Sequence, residues 1–568
     1  MRSVPRRDSV WLAEFENHST RSIAIRVMVL ISSASRADLI YCLRSIKQLM
    51  QTKLICALFT LLLLSLSINS QSTTPTCSYS SLWGVNGEKW DPRGRLPDFS
   101  YSGYHAGEQQ LPQRKATFDL KRDFHAVGDG KTDDSTALIN ALRSMKRGVL
   151  FIPKGTYVIS KRIDIDKANL VIRGAGPNET VLLFPNSLTD LFGNNAKGTE
   201  QSQWSFRPGL INVTGQDPIN SQTRIASVVT PVPRGTTRLE LSNSLSIKEG
   251  EWIRLVQSDP TKGQPNTGSL IKYLYGDLMP PGEDLLGTQS VVRFLSRVKR
   301  VVGKTIELER PLPYEVRLEW KPEIHRFSPT VTEVGIEHLS IHFPWSPYPG
   351  HFKEKGYNAI FYQNVSQCWV DDVEIQNSDF GVDLNSTNFC TVNMVTLTSS
   401  ESRAVGEGGK DGNGHHGIDI SHGTENLVTN FDVRTKLVHD ISVEWYALHT
   451  VFANGRGVDL NMDHHREANY SSLFTNLDCG AGTRPFNSGG SGNRGAHAGA
   501  YSTYWNVRGA VALKLPSADF GPLLNFVGLY LKEASTKSTY EWLIDSPGPT
   551  GVCPSDLHEA MKLKRLKH

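Results

Sequence analysis

Excess charge of one sign, glycine- or proline-rich tracts and long apolar segments are scarce in this 568-residue chain. With 48 Gly, 29 Pro and 21% charged residues it is neither collagen-like, low-complexity nor a disordered polyelectrolyte. Its one long apolar run, residues 54–66 (LICALFTLLLLSL), falls short of the ~20 residues of a comfortable membrane span, which excludes a helical membrane bundle. The formal net charge of +4 does not point to nucleic acid. Residues 1–70 hold nine Lys/Arg against four Asp/Glu, and the remainder is close to neutral. A G-x-S-x-G nucleophile elbow, an H-E-x-x-H zinc motif and a G-x-x-x-x-G-K-[ST] phosphate loop are also missing.

The apolar run follows Lys53 and precedes Ser67, Ser70, Gln71 and Ser72, the layout of a secretory signal peptide over residues 50–70, starting at Met50. Residues 1–49 then read as an upstream extension; the alternative is a type II anchor with a cytosolic tail. The expected mature protein is secreted, with no membrane attachment. It keeps Cys77, Cys368, Cys390, Cys479 and Cys553, an odd number. Cys368 and Cys390 read as buried thiols, and Cys479 and Cys553 as the disulfide candidates, because Cys553 lies in a Pro-rich tail that needs anchoring. Asn178, Asn212, Asn364, Asn385 and Asn469 begin Asn-X-Ser/Thr acceptors.

Short segments rich in β-branched residues and bounded by Gly, Pro, Asn or Asp recur at 149–159, 170–176, 181–184, 252–257, 291–302 and 306–312. One clear helix is expected over 134–142, with Asp133 or Asp134 as its cap. An apolar-x-x-apolar-x-apolar pattern repeats at Ile336/Leu339/Ile341, Val370/Val373/Ile375, Val392/Val395/Leu397 and Val428/Phe431/Val433. A repeat of 20-odd residues, each with a short strand, predicts an all-β solenoid, a single-stranded parallel β-helix over 117–530. Residues 71–116 are expected to pack along it, about 200–330 to form a β-rich insertion walling a cleft, and 531–568 to be a tail with a solvated basic end.

The segment from Asp123 to Leu138, DFHAVGDGKTDDSTAL, followed by GVLFIPKGTY from Gly148 to Tyr157, resembles the opening of the pectate-lyase superfamily. The resemblance implies a right-handed parallel β-helix with an N-terminal capping helix, acting on polysaccharides as a lyase, a polygalacturonase-like hydrolase or a depolymerase. The motif's role is structural: Gly128 and Gly130 permit tight turns, and Asp129, Asp133 and Asp134 read as caps rather than metal ligands. His125 stands where the family usually has Gly.

Eight of the 17 His lie between 415 and 497, a density that a solvated face does not need. Candidate catalytic residues are His415, His416, Asp419, His439, Asp459, Asp463, His464 and Arg466. Candidate substrate-binding residues are Arg456, Arg484, His497, Trp445 and Tyr446, and Tyr470, Tyr501, Tyr504 and Trp505 offer further aromatic faces for sugar rings. The first expectation is β-elimination on a uronate-containing glycan. His416 or His464 would be the base, and Arg466 or Arg484 would neutralise the carboxylate. The second is glycoside hydrolysis by paired carboxylates drawn from Asp379, Asp383, Asp419, Asp459 and Asp463. The polygalacturonase order is met in part, by Asp371-Asp372, Gly414-His415-His416-Gly417 and Arg434-Thr435-Lys436, without an Asn-Thr-Asp before them. Epimerisation and non-catalytic glycan binding complete the set. A transition metal on Asp463, His464 and His465 is disfavoured because adjacent His seldom share an ion. Ca2+ on acidic oxygens is the cofactor a lyase would use, although no loop shows fixed ligand spacing. The expected partner is the polysaccharide, and the expected assembly a monomer.

Overall fold

The computed structural model describes residues 77–194, 201–287, 291–404, 412–532, 540–546 and 551–567. The expected signal sequence and the extension before it lie outside these. Among the described residues no helix is long and apolar enough to cross a membrane.

The sequence repeat is a stack of parallel coils. Ile336, Val370, Val392 and Val428 are register partners on successive strands, and Ile341, Ile375, Leu397 and Val433 form a parallel ladder beside them. The odd spacing within each repeat has a local cause. His338, Asp372, Met394 and Asn430 each hold a left-handed backbone (φ 51–55°), which bends the strand so that residues on both sides of the bend face inward. Beyond Val428 the ladder turns aromatic: Phe452, Phe474, Tyr504 and Phe526 follow one another in register. Their rings stack nearly parallel, 5.1, 5.3 and 5.0 Å apart, an arrangement worth about 0.5–1.5 kcal/mol per pair beyond burial.

A second wall carries the chemistry. It comprises β1 (Ile163–Ile165), β2 (Ile211–Thr214), β3 (Asn358–Gln363), β4 (Phe380–Asn385), β5 (His416–Ser421), β6 (His439–Glu444) and β7 (Met462–His464), all parallel and in sequence order. Ile211, Ile360, Val382, Ile418, Ile441 and Met462 form one inward ladder, and Val213, Tyr362, Leu384, Ile420, Val443 and His464 the next. The residues between them face out, since strand side chains alternate.

Helix α1 (Ser135–Ser144) closes the first coils with buried Leu138, Ala141 and Leu142. Asp133 accepts from the Ser135 amide at 3.0 Å, whereas Asp134 takes the amides of Val127 and Gly128 at 2.7 and 2.9 Å. Asp129 takes those of Lys131 and Thr132, so all three carboxylates hold turns. The insertion is a six-stranded antiparallel sheet between Arg224 and Arg326, with its own core that continues onto Leu448, Ala468, Tyr470 and Ala500 of the coils.

Three expectations are corrected. The disulfide joins Cys77 to Cys553, while Cys479 is a buried core thiol like Cys368 and Cys390. The tail is not a free end: α2 (Leu557–Leu566) buries Leu557, His558 and Met561, and its core cluster includes Trp83, Leu96 and Phe99 of the N-terminal segment. Asn212, Asn385 and Asn469 are buried, so only Asn178 and Asn364 remain as acceptors with accessible side chains.

Candidate active site

Gly381-Val382-Asp383 on β4 and Gly417-Ile418-Asp419 on β5 occupy the same register. Each glycine is required by close approach. A Cβ on Gly381 would lie 2.4 Å from the Gly417 carbonyl oxygen, and one on Gly417 2.2 Å from that of Asp440. The outward column through the two aspartates runs Phe361, Asp383, Asp419, Ser442, Asp463, and the column to one side runs Phe380, His416, His439. Asn385, Ser421 and Glu444 form the column on the other side.

Arg207, from the segment leading into β2, lies across these columns. Its Nε donates to Asp383 at 2.8 Å and its Nη2 to Ser421 Oγ at 2.6 Å, with Asp419 and Glu444 at 3.9 and 3.8 Å. The neighbouring Phe206 ring packs on His415 and His416. At the far end Asp463 Oδ2 accepts from His465 Nδ1 at 2.8 Å and Ser442 Oγ at 3.1 Å, and lies 3.1 Å from His439 Nδ1. The Gly489 amide donates to the other Asp463 oxygen at 2.7 Å.

Burial governs the charge states. It raises Asp419 well above the usual carboxylate range, reinforced by the charges of Glu444 and Asp383 and opposed by Arg207. Burial also raises Asp383 and Glu444, against the pull of Arg207 on the first and of His465 and Arg207 on the second. Three carboxylates about one guanidinium do not all ionise together near neutrality. Asp463 is held low in spite of burial by His439 and His465, and His465 is raised to about 9, the attraction of Asp463 outweighing burial. Burial and the surrounding imidazoles hold His415 and His416 well below the ordinary range, so both are neutral.

Residues 121–288 match the family described as "Rhamnogalacturonase A/epimerase, pectate lyase-like". Over that stretch the chain is similar to a pectate-lyase-like family, and the stacked parallel coils agree with the likeness. Shorter stretches are similar to the pre-neck appendage protein of Bacillus phage B103 (34% identity over 101 residues, 18% of this chain) and to alginate lyase 7 of Azotobacter vinelandii (40% over 70 residues, 11% of this chain). These matches span 11% and 8% of the lengths of those two relatives. Among solved structures, the tailspike protein gp49 of Pseudomonas phage LKA1 is similar over 72% of this chain and 62% of its own, with 13% identity and a TM-score of 0.44.

On the stacked coils the expected residues divide cleanly. His415, His416, Asp419, His439 and Asp463 come together on the outward face with Asp383 and His465. His464 does not: its parity turns it into the core, where Nδ1 pairs with Asn469 at 2.7 Å and Tyr504 OH donates to Nε2 at 2.8 Å. Asp459 binds Thr483, and Arg484 donates to Asp440 at 2.7 Å and to the Leu437 carbonyl, a buried brace. Arg456 is on the opposite wall, exposed and paired with Asp432. Arg466 and His497 bond to each other and to the backbone of Gly490, Gly495 and His464, holding the 489–497 loop.

Trp445 and Tyr446 are half-buried just past Glu444, with Trp445 between His422 and the Arg494 guanidinium. Tyr504 is a core rung, Trp505 packs in the cluster holding the N-terminal segment, and Tyr470 and Tyr501 lie in the insertion's cluster. The partial polygalacturonase order is split between walls. Asp371-Asp372 lies on the wall opposite His415 and His416, Arg434 pairs with Asp432 on that wall, and Asp379 is held by Arg403.

Sequence reasoning missed Arg207, His351, Ser442 and Glu444. The Gly-apolar-Asp pair was a readable sign for Asp383 beside Asp419. Nothing local marks Arg207, which reaches Asp383 across 176 residues.

Proposed function

We propose that the protein is a glycoside hydrolase acting on an acidic polysaccharide, with Asp383 and Asp419 as its carboxylate pair. One observation carries the reading: these two side chains face outward on adjacent rungs, where parallel strands run about 4.8 Å apart, and their surroundings differ. Asp419 is held protonated by burial and by Glu444, and is the general acid that delivers a proton to the leaving glycosidic oxygen. Asp383, bonded to Arg207, is the ionised partner that activates water or attacks the sugar. Arg207, whose side chain is 31% exposed, marks the solvent side and supplies positive charge there. The family description and the name alginate lyase 7 support carbohydrate chemistry in general.

β-Elimination is the second reading, favoured by the neutral His416, whose buried Nε2 has no hydrogen-bond partner and suits a base. Both readings are tested on the purified protein with a panel of acidic and neutral polysaccharides, following reducing ends and the ultraviolet absorbance of a new C=C bond together. Reducing ends alone, reduced at least about 100-fold in Asp383→Asn and Asp419→Asn with melting preserved, support hydrolysis. Absorbance rising in step replaces it with elimination. A glycan bound without product in either channel leaves a binding protein.

A further inference from the structure

Beside the carboxylate pair lies a cluster of imidazoles that the hydrolytic reading does not use. One ring nitrogen from each of His351, His415 and His439 lies within 4.8 Å of the other two. Their ring centroids are 4.6, 5.6 and 6.1 Å apart, around the roughly 5 Å expected of three imidazoles on one tetrahedral ion with metal–nitrogen bonds near 2 Å. We propose that these three histidines form a binding site for a divalent first-row transition ion of the Zn2+ type.

The arrangement of the other ring nitrogens supports this. His415 Nδ1 donates to the Ser205 carbonyl at 2.9 Å, which fixes its hydrogen there and turns the Nε2 lone pair inward, where it is buried without a hydrogen-bond partner. Asp463 Oδ2 stands 3.1 Å from His439 Nδ1, the kind of carboxylate–imidazole neighbour that orients metal-ligating histidines. Three neutral nitrogen donors suit Zn2+, Co2+ or Ni2+ and not Ca2+, which takes oxygen. His351 is only half-buried, so the site has an approach from solvent, and the His416 ring, 4.2 and 4.6 Å from those of His415 and His439, bounds the side nearest the carboxylates. A donor set of this kind leaves a fourth position for water or a sugar oxygen.

The test contains no glycan, so its result stands whatever the activity assays return. The full chain is stripped with a chelator, dialysed and titrated separately with Zn2+, Co2+ and Ca2+. Expected are one bound Zn2+ or Co2+ per chain, visible d–d absorbance with Co2+, and a higher melting temperature with Zn2+ but not Ca2+. His351→Ala, on an accessible loop, should keep its circular dichroism and lose at least about 100-fold in Zn2+ affinity, and Asp463→Asn about 10–100-fold. His105→Ala, remote from the cluster, should bind as the parent does. Folded protein that binds neither Zn2+ nor Co2+, binding undiminished in His351→Ala, or stabilisation by Ca2+ alone would each overturn the proposal.

Discussion

Asp419 shares its surroundings with two other carboxylates, Asp383 in register on the next strand and Glu444 one rung further on. After burial, the charge of Glu444 contributes most to keeping Asp419 protonated. If Asp419 is the general acid, activity falls as pH rises through its raised value. Glu444→Gln removes a repelling charge, so Asp419 ionises at lower pH and the alkaline limb of the kcat/KM profile moves toward acid. A limb that stays in place would remove Asp419 from the acid's role. His464 titrates near 4 in the fold against an ordinary 6.5, because burial penalises its charged form. The unfolded chain therefore takes up that proton first. The His464 contribution is complete above about 6.5 and is lost as pH falls toward 4. His465 has the opposite sign: raised to about 9, it contributes fully below 6.5, and that contribution disappears as pH rises through 9. Urea melts across pH should show a shallower acid limb in His464→Gln than in the parent.

At the scale of the element, the strands of the site wall are packed to contact at their glycines. Gly417→Ala would set a methyl 2.2 Å from the Asp440 carbonyl oxygen and 2.9 Å from Leu397 Cδ1, and no side-chain rotation relieves the backbone contact. It should destabilise by about 1–3 kcal/mol, read as a lower urea midpoint, and should reduce activity by moving Asp419. A methyl added at Gly492 would meet nothing within 4 Å, and the backbone there is not left-handed, so Gly492→Ala should melt as the parent does. Equal effects at the two positions would contradict the packing account. The bends at His338, Asp372, Met394 and Asn430 have a similar local logic. Asparagine tolerates the left-handed conformation best of the four, and it stands at the equivalent bends of later coils as Asn454 and Asn476.

At the scale of the whole molecule, the N-terminal segment and the tail are fastened together. Ser78–Tyr79 pairs in parallel with Val552–Cys553, the Cys77–Cys553 disulfide spans 476 residues of sequence, and α2 packs in one cluster with Trp83, Leu96 and Phe99. Cys77→Ser should cost about 2–4 kcal/mol and show as a lower melting temperature, matched by the reduced parent protein. The three buried thiols should stay unreactive toward a thiol reagent until unfolding in both forms. Early labelling of Cys368, Cys390 or Cys479 would mean that the coil opens locally.

The sequence by itself determined the coil. Each core position recurs once per turn of the solenoid, so Ile336, Val370, Val392 and Val428 announce the ladder they form, and a short-range pattern suffices because each coil packs chiefly on the next. It also determined the density of histidine and carboxylate along one stretch of chain. Tertiary structure alone decided which of those groups meet. A change of parity by one residue sends His464 into the core while Asp463 and His465 stay outside, and only the strand register sets that parity. Arg207 and His351 join the site from connections that fold across the wall, and Cys77 finds Cys553 from the other end of the described chain. These are encounters between distant segments, fixed by how whole coils stack and by where their loops return, and no local pattern of residues encodes them.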